Sequence, residues 1–301
     1  MTGHLEPRLG ARTTIGLRRY PSDRTRLGHE WLLAVTRHVE VDLIRWIWAF
    51  IDRPLERFDQ AAAFWANVTD TRLSTRRGSD GEFVTLLPLS GHPSLKLQGV
   101  HGSGGAHLDL EVDDVPVAID IALGLGATVV APHPDWAVMW SPGGQLFCLT
   151  PWEGAVAQAP VVRHPDGTSS RLDQLCLDVA PAGYDVEKSF WAELTGWRLH
   201  AGARAEFDLL KPPRGLPIRI LLQRLGTDRA SSAHVDLACS DIEAARSWHE
   251  QCGARVVGRW PHWIVMKDPA GGAYCLTARD PETGRLRDGV PSEADPPAPS
   301  S

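Results

Sequence analysis

The sequence predicts an α+β fold made of two tandem copies of one domain, each assembled from two βαβββ units. The copies are visible as a repeat, since AHLDL at 106–110 returns as AHVDL at 233–237. The register holds without a gap as far as FCLT at 147–150 and YCLT at 274–277. Within each copy, a strand, a helix and further strands follow one another twice. A repeat of this length indicates a duplicated domain. Because short strands with one helix cannot close a core alone, the units must pair.

The first copy shows the hydrophobic periods of both strands and helices. Residues 44–50 are an apolar run rich in β-branched and aromatic side chains, which is typical of a strand. Residues 58–68 place Phe58 and Trp65 on one helical face. Residues 107–112 alternate strictly between the two faces of a strand. The predicted elements are strand 44–50, helix 58–68, strands 82–87 and 94–98, strand 107–112, helix 115–125, and strands 137–140 and 146–150.

The second copy repeats this order of elements. The predicted elements are strand 174–179, helix 186–194, strands 207–210 and 218–223, strand 234–239, helix 242–252, and strands 263–267 and 273–277. On the last helix, His249 is expected at the surface, and nothing near Cys252 marks that thiol as a nucleophile.

The repeat and the composition of the segments around it predict the domain boundaries. The repeat gives a first domain at 44–152 and a second at 171–279, joined by an Ala/Pro/Gly/Ser-rich linker at 153–170. Residues 1–43 contain many arginines but no apolar core of a secretory signal, so we expect a disordered extension there. The proline-rich end at 280–301 is also predicted to be disordered.

Charge and cysteine usage exclude several classes of partner. The net charge of −6 gives no reason to expect nucleic acid or an anionic membrane. The longest apolar run, 41–51, is interrupted by Asp42 and Arg45 and is shorter than the ~20 residues of a membrane span. Five cysteines occur singly, without a CxxC pair, which favours reduced thiols in the cytoplasm. The sequence also lacks a glycine-rich phosphate loop, a GxSxG elbow and an HExxH motif.

The motifs resemble those of the vicinal oxygen chelate superfamily, which includes glyoxalase I, bleomycin-resistance proteins, fosfomycin-modifying enzymes and extradiol dioxygenases. The resemblance covers about residues 44–151 and 172–278 and is closest to a glyoxalase-like group with cysteine in the last strand. The motifs that carry it are FW in the first helix, Q in the fourth strand, HLDLEVDDV and HVDLACSDI, GAT or GAR, WxVMxxPxG, and F/Y-C-L.

This resemblance implies a cup-shaped mixed sheet of eight strands in each copy. In metal-dependent relatives, four ligands, commonly His or Gln and Glu, point into the cup. The metal binds two vicinal oxygens of the substrate and stabilises a developing enolate, oxyanion or peroxide.

Each copy keeps one standard ligand of the family, a histidine on the strand that opens the second unit. These histidines are His107 and His234. Asp109 and Asp236, two residues further along, share the strand face of their histidine and could orient the imidazole or act in the site itself. The candidate catalytic residues are therefore His107, Asp109, His234 and Asp236.

The other ligand positions are substituted. Cys148 and Cys275 stand where the last strand carries Glu, and a cysteine there is either a zinc ligand or a small core residue. The first strand offers Trp46-Ile47-Trp48 or Leu175-Cys176-Leu177, and the fourth offers Lys96 or Gln98, and Leu221 or Gln223. The candidate metal ligands are His107, Cys148, His234 and Cys275. We expect no cofactor, with a divalent metal (zinc, manganese or iron) as the alternative.

Twelve tryptophans suggest an aromatic wall around the ligand. Trp48 and Trp140 are the better pocket candidates, because the second copy is expected to replace them with Leu175 and Lys267. Trp136 and Trp263 occupy equivalent positions and are first interpreted as structural. The candidate ligand-binding residues are Trp48, Trp140, Trp136, Trp263, Gln98 and Gln223.

Three functions remain open after this inventory. The favoured function is a metal-free protein that sequesters a small aromatic or amphipathic molecule. The alternative is a lyase or isomerase that uses a metal or His/Asp chemistry on a substrate with vicinal oxygens. The third is a structural or regulatory module. An extradiol dioxygenase is disfavoured, because only His234 of its ligand set is in place in the second copy. We expect a small-molecule partner and a monomer in which the two domains pair within one chain.

Overall fold

The first copy forms an eight-stranded mixed sheet in the computed structural model, which describes residues 43–202 and 204–286. Its strands are β1 (Ile44–Pro54), β2 (Arg72–Leu73), β3 (Phe83–Leu87), β4 (Leu95–Val100), β5 (Gly105–Val112), β6 (Thr128–Pro132), β7 (Ala137–Trp140) and β8 (Leu146–Pro151). The spatial order is β2-β3-β4-β1-β5-β8-β7-β6. Helix α1 (Phe58–Val68) follows β1, and helix α2 (Val115–Gly124) follows β5.

The second copy forms a nine-stranded sheet of the same design. Its strands are β9 (Val162–Arg163), β10 (Ser169–Val179), β11 (Arg198–Ala201), β12 (Phe207–Lys211), β13 (Arg219–Arg224), β14 (Ser232–Cys239), β15 (Arg255–Trp260), β16 (Trp263–Lys267) and β17 (Ala273–Thr277). The order is β11-β12-β13-β10-β14-β17-β16-β15, with β9 paired to β10. Its helices are α3 (Tyr184–Thr195) and α4 (Ile242–Gln251).

The pairing of units within each sheet confirms the predicted fold class. In the first copy, β1 runs parallel to β4 and β5 runs parallel to β8, while β1 and β5 join the two units in antiparallel register. Strands β10, β13, β14 and β17 repeat this arrangement. Each unit therefore contributes four strands of the continuous sheet, and the joining strands lie at its centre.

The second helix of each copy begins after an aspartate that occupies the same position in both copies of the repeat. The Asp114 carboxylate accepts from the backbone N–H of Val117 at 3.1 Å, and Asp241 accepts from Glu243 and Ala244 at 2.9 and 3.0 Å. An acceptor at this position satisfies amide groups that a helix leaves unpaired at its first turn. The same local signal therefore fixes the start of both helices.

The two copies contact each other through the tryptophans of their first helices. Trp65 on α1 is buried and lies 5.0 Å, between ring centroids, from Tyr274 in the last strand of the second copy. Trp191 on α3 lies 5.3 Å from Phe147 in the last strand of the first copy. The contacts are reciprocal, so each copy covers the first helix of the other.

Several elements differ from the sequence prediction. Strands β2, β6, β11 and β15 were missed. The predicted linker contains β9, and β10 begins at Ser169 rather than at Gln174. His249 is buried, so its expected surface position is wrong. The described part of the predicted tail, 280–286, turns back so that Leu286 bridges to Arg279. The predictions for 1–42 and 287–301 lie outside the described residues.

All five cysteines fall in the described ranges and are free thiols, of which only Cys252 is partly exposed. None of the helices within 43–202 and 204–286 is long and apolar enough to cross a membrane.

Candidate functional site

The cup of each copy is lined by alternate residues of its central strands. In the first copy, Phe50 of β1 pairs with His107 of β5, and in the second, Cys176 of β10 pairs with His234 of β14. Two residues further along the first strand, Asp52 and Asp178 therefore share the cup face with those histidines. The strand register thus brings a His and two Asp together in each copy.

In the first copy, the cup is filled by its own side chains. The Trp48 indole N–H donates to the Glu111 carboxylate at 2.7 Å, and the Lys96 ammonium lies 4.0 Å from the centre of the Trp48 ring. The Phe50 ring stacks on His107 with 4.5 Å between centroids. Burial lowers the pKa of Lys96, although the negative charges of Asp109 and Glu111 oppose this shift. Lys96 is thus an internal cation that partly compensates the acidic groups of this cup.

In the second copy, smaller residues leave the equivalent space open. The strand pairings place Gln174 where the first copy has Trp48, because Trp48 pairs with Asp109 and Gln174 pairs with the equivalent Asp236. The expected equivalence of Trp48 with Leu175 is therefore wrong by one residue. Cys176 likewise replaces Phe50, and Leu221 replaces Lys96. These three substitutions remove two aromatic rings and the lysine.

A cavity of about 280 Å³ occupies this second cup. Trp263 and Phe207 stand edge to face on its wall with 5.9 Å between ring centroids, and Trp260 stacks on Trp263 at 5.4 Å. Leu209 and Leu221 add aliphatic surface. Its polar lining consists of Gln174, Cys176, Arg204, Gln223, His234, Asp236, His262, Cys275, Thr277 and Arg279. The cavity thus combines apolar walls with convergent polar groups, as small-molecule sites do.

His234 lies at the polar centre of the cavity, between two aspartates. Its Nδ1 is 3.6 Å from the Asp178 carboxylate and its Nε2 is 3.4 Å from the Asp236 carboxylate. Burial alone would lower the pKa of His234, but interactions with Cys176, Cys275 and Asp178 raise it well above the ordinary histidine value. Since burial raises the pKa of Cys275 to about 11, this thiol is protonated near neutral pH. Near neutral pH, the negative charge beside the imidazole therefore comes from the aspartates, of which Asp178 has a lowered pKa.

Asp236 differs from Asp178 in its electrostatics. Burial raises the pKa of Asp236 to about 6, although His234 opposes the shift. The pKa of Asp178 is lowered, because His234, Ser232 and other donors outweigh its burial. The site therefore contains one firmly ionised carboxylate and one that changes its protonation state slightly below neutral pH.

In the first copy, the corresponding histidine is held more tightly. The His107 Nδ1 lies 2.7 Å from the Asp52 carboxylate, and its Nε2 lies 3.6 Å from Asp109. Burial would lower the pKa of His107, but Asp52 raises it above the ordinary value. Cys148 is buried beside this pair, and burial raises the pKa of its thiol. Because Phe50 stacks on the imidazole, His107, Asp52 and Cys148 are enclosed in the interior of the first domain.

The donor atoms of the second cup fit a divalent metal. The donor atoms of Cys176, Asp178 and His234 lie within 4.8 Å of one another, and so do those of His234, Asp236 and Cys275. Sulfur, imidazole nitrogen and carboxylate oxygen are the ligands that zinc takes in proteins. The Asp236 Oδ1 atom lies 3.4 Å from His234 Nε2 and is buried without a hydrogen bond.

The first cup also brings together His107, Asp109 and Cys148. A metal fits less well there, because Phe50 covers the imidazole and Lys96 already places a positive charge near Asp109 and Cys148.

The remaining predicted ligand-binding residues are dispersed. Trp263 and Gln223 line the cavity of the second cup, and the Cys176 thiol lies 3.8 Å from the Gln223 amide oxygen. Gln98 is half-buried on β4, opposite Asp52. Trp140 is 42% exposed, and Trp136 stacks on His133 at 3.7 Å near the start of α2.

Sequence reasoning missed Asp52, Asp178 and Gln174. The predicted first strand of the first copy ended at Phe50, so Asp52 was left outside it. The signal was nonetheless present, since Asp52 and Asp178 occupy matching positions in the two copies, at the offset that also relates Trp65 to Trp191. Applying this offset to the whole first strand would also have aligned Trp48 with Gln174.

The duplicated cup-shaped sheets, each with a histidine at the centre, define a vicinal oxygen chelate protein with two tandem domains. The model of the glyoxalase-like domain matches residues 48–150 and 174–277. The chain therefore belongs to the glyoxalase-like domain family. No curated protein matches the sequence.

Solved structures share the fold at low sequence identity. One is a variant of homoprotocatechuate 2,3-dioxygenase from Brevibacterium fuscum, with a TM-score of 0.55, 13% identity and coverage of 79% of this chain and 72% of that one. A mutant of 4-hydroxymandelate synthase from Streptomyces coelicolor has a TM-score of 0.53, 12% identity and coverage of 81% and 94%.

A third similar structure is longer than this chain. It is a xylose isomerase-like TIM barrel/4-hydroxyphenylpyruvate dioxygenase fusion protein, with a TM-score of 0.52 and 11% identity. The match covers 84% of this chain, which spans half the length of the fusion protein. Identities this low establish a shared fold only.

Proposed function

We propose that this protein binds a small aromatic or amphipathic molecule in the cup of the second copy, and that binding does not require a metal. The observation that carries the proposal is the difference between the cups. The same fold encloses a cavity of about 280 Å³ in one copy and is filled by Trp48, Phe50 and Lys96 in the other.

The walls of the cavity favour a planar ligand. Trp263 presents its ring to the cavity and is supported from behind by Trp260, whose ring is nearly parallel at 7°. A ligand ring beside Trp263 and Phe207 would gain both apolar burial and aromatic contact. The buried Asp236 and the partly buried His234 and Gln223 would then orient the polar groups of the ligand.

The test is a titration with 2-naphthol, followed by tryptophan fluorescence and by calorimetry. We expect saturable one-to-one binding without added metal and unchanged by a chelator. The variants Trp263→Leu and Gln174→Trp should each weaken it at least tenfold, the first by removing the wall and the second by filling the cavity.

The matched control is Trp248→Leu, which removes an exposed tryptophan on α4. It should change the fluorescence baseline without changing the affinity. Binding that survives Gln174→Trp would place the ligand outside the second cup, and the absence of binding by any aromatic compound of this size would contradict the proposal.

A second candidate function is a metal-dependent lyase or isomerase acting on a substrate with vicinal oxygens. The two donor groups that share His234 favour it. Either Cys176, Asp178 and His234 or His234, Asp236 and Cys275 would hold the ion. When bound, the metal would act as a Lewis acid toward an oxygen of the substrate.

In this candidate function, the chain's own residues would position the substrate. Trp263 and Phe207 would hold its apolar part, and whichever aspartate is not a ligand would accept or return a proton. Metal analysis of protein purified without chelator or nickel resin distinguishes the two candidates. Stoichiometric metal that is lost in His234→Ala but kept in His107→Ala would favour the enzyme.

A further inference from the structure

The lining of the second cavity includes a glutamine whose amide has no hydrogen-bond partner. Gln174 is fully buried and lines the cavity, yet neither its Nε2 nor its Oε1 atom makes a hydrogen bond. Buried amides in native proteins are almost always paired, because an unpaired one gives up its hydration without compensation. The arrangement therefore requires an external partner at this position.

Gln174 faces the cup of the second copy. It lies on the cup face of β10 directly opposite Asp236 of β14, whose Oδ1 atom is also buried without a hydrogen bond. In the first copy, the equivalent Trp48 has its N–H satisfied by Glu111, and Ala238 replaces that glutamate in the second copy. The second copy therefore has a cavity at this place and lacks the internal hydrogen-bond partner that Glu111 provides in the first copy.

Charged residues near Gln174 already make contacts within the protein. Arg219 forms an ion pair with the adjacent Asp173, and the His234 imidazole lies between Asp178 and Asp236. Arg279, which also lines the cavity, donates to the backbone carbonyl of Gly284 at 3.0 Å. The Gln174 side chain is neutral, and both the N–H donors and the C=O acceptor of its amide are left without a partner.

We infer that Gln174 recognises a primary carboxamide or lactam group attached to the aromatic ring of the ligand. The N–H of the ligand amide donates to Gln174 Oε1, and its carbonyl accepts from Gln174 Nε2, which forms a planar pair of hydrogen bonds. The ring then extends toward Trp263 and Phe207. This inference rests on the proposed function, since it names the ligand class of the same cavity.

The experiment compares three probes of nearly equal size, namely benzamide, methyl benzoate and benzoate. Benzamide donates and accepts, methyl benzoate only accepts, and benzoate carries a charge. Calorimetric titration of the full chain should show benzamide binding about tenfold or more tightly than both other probes. That factor corresponds to pairing a buried amide that would otherwise stay unmatched.

Two variants connect this preference to Gln174. Gln174→Leu keeps a buried side chain of similar length and should reduce the benzamide preference over methyl benzoate to about onefold, while methyl benzoate still binds. Gln251→Leu, at an exposed glutamine on α4, should leave all three affinities unchanged. Circular dichroism confirms that each variant is folded.

The possible outcomes distinguish a failure of amide recognition by Gln174 from a failure of aromatic-ligand binding as a whole. Equal affinity of benzamide and methyl benzoate for the wild type, or a preference that persists in Gln174→Leu, would overturn the inference alone. Failure of every aromatic probe to bind, 2-naphthol included, would overturn the proposed function and the inference together.

Discussion

His249 is a neutral histidine buried at the contact between the two copies. Its Nδ1 lies 2.8 Å from the Tyr274 hydroxyl, and its ring meets Phe64 of the first copy edge to face at 5.8 Å. Burial lowers its pKa to about 3. The sequence suggested a surface residue because charged residues surround it on α4, but the repeat aligns it with Ala122, which is fully buried.

The buried histidine predicts an acid-dependent loss of stability. The unfolded chain binds a proton at His249 near pH 6.5, whereas the folded chain resists this until about pH 3. The stabilising contribution is therefore complete above pH 6.5 and falls as the pH decreases toward 3. The slope approaches about 1.4 kcal/mol per pH unit.

Urea unfolding at several pH values measures this slope. In His249→Gln, the free energy of unfolding should be lower near neutral pH and should fall less steeply below pH 6.5 than in the wild type. Parallel slopes for the two proteins would show that His249 is not the group responsible.

The residues of the site were predictable to different degrees. His107, Asp109, His234 and Asp236 were found from a motif repeated in both copies, because strand alternation fixes their common face. Gln174 was not found, since its role depends on the space left by the loss of Trp48 and Glu111 from the second copy. Cavities arise from differences in side-chain volume across strands, and these do not appear in a local pattern.

At the level of elements, the filled and the open cups differ mainly at β1 and β10. Trp48 in the first cup is buried against Lys96 and Glu111, while Gln174 in the second leaves its neighbours exposed to the cavity. The two strands have the same length, but the irregularity in their pairing lies between Ile44 and Trp46 in β1 and between Leu172 and Gln174 in β10. The exchange of Trp48 for Gln174 is therefore one of three substitutions that leave the second cup open.

Exchanging these residues should have opposite consequences. Trp48→Gln removes a buried ring and its hydrogen bond, and we expect it to cost about 3 to 5 kcal/mol of unfolding free energy. Gln174→Trp fills an existing cavity and removes an unpaired buried amide, so its effect should be within about 1 to 2 kcal/mol. Thermal unfolding of the two variants tests the difference. Comparable destabilisation by both would contradict the assignment of filled and open cups.

The elements that sequence analysis missed lie at the sheet edges. Strand β6 exposes both Val129 and Val130, and β11 is exposed at all four residues. Neither shows the alternation of buried and exposed residues by which half-buried strands are recognised. The central strands and all four helices were found, because they carry the apolar faces that form the core. The pattern thus predicted the centre of each sheet better than its rim.

At the scale of the whole molecule, the pairing of the two domains within one chain leads us to expect a monomer. Each copy covers the first helix of the other, as Trp65 and Trp191 show. Light scattering coupled to size exclusion should give the mass of a single chain, 33.0 kDa. A stable dimer of exchanged domains would contradict this prediction.

The two contacts between the copies use different chemistry at equivalent places. On one side, Asp268 accepts from the Arg53 guanidinium at 2.6 Å and from the Trp65 indole at 3.0 Å. On the other, Glu187 of α3 accepts from the Ser141 hydroxyl at 2.6 Å and from the Trp191 indole at 2.7 Å. Burial raises the pKa of Glu187. The first contact is thus a buried ion pair, whereas the donors to Glu187 at the second contact are the uncharged groups of Ser141, Gly143 and Trp191.

Removing the ion pair should lower the free energy of unfolding more than removing the hydroxyl at the equivalent position of the other contact. Asp268→Ala leaves the Arg53 guanidinium buried without its partner and should cost about 3 to 5 kcal/mol. Ser141→Ala, at the equivalent position of the first copy, removes the hydroxyl that donates to Glu187 and accepts from the Gln145 N–H, and should cost about 1 to 2 kcal/mol. Urea unfolding followed by tryptophan fluorescence and by circular dichroism gives both values.

Because the contacts join the domains into one core, the wild type should unfold in a single transition, and Asp268→Ala should broaden or split it. A large loss in Ser141→Ala with little change in Asp268→Ala would show that the helix side, rather than the ion pair, holds the two copies together.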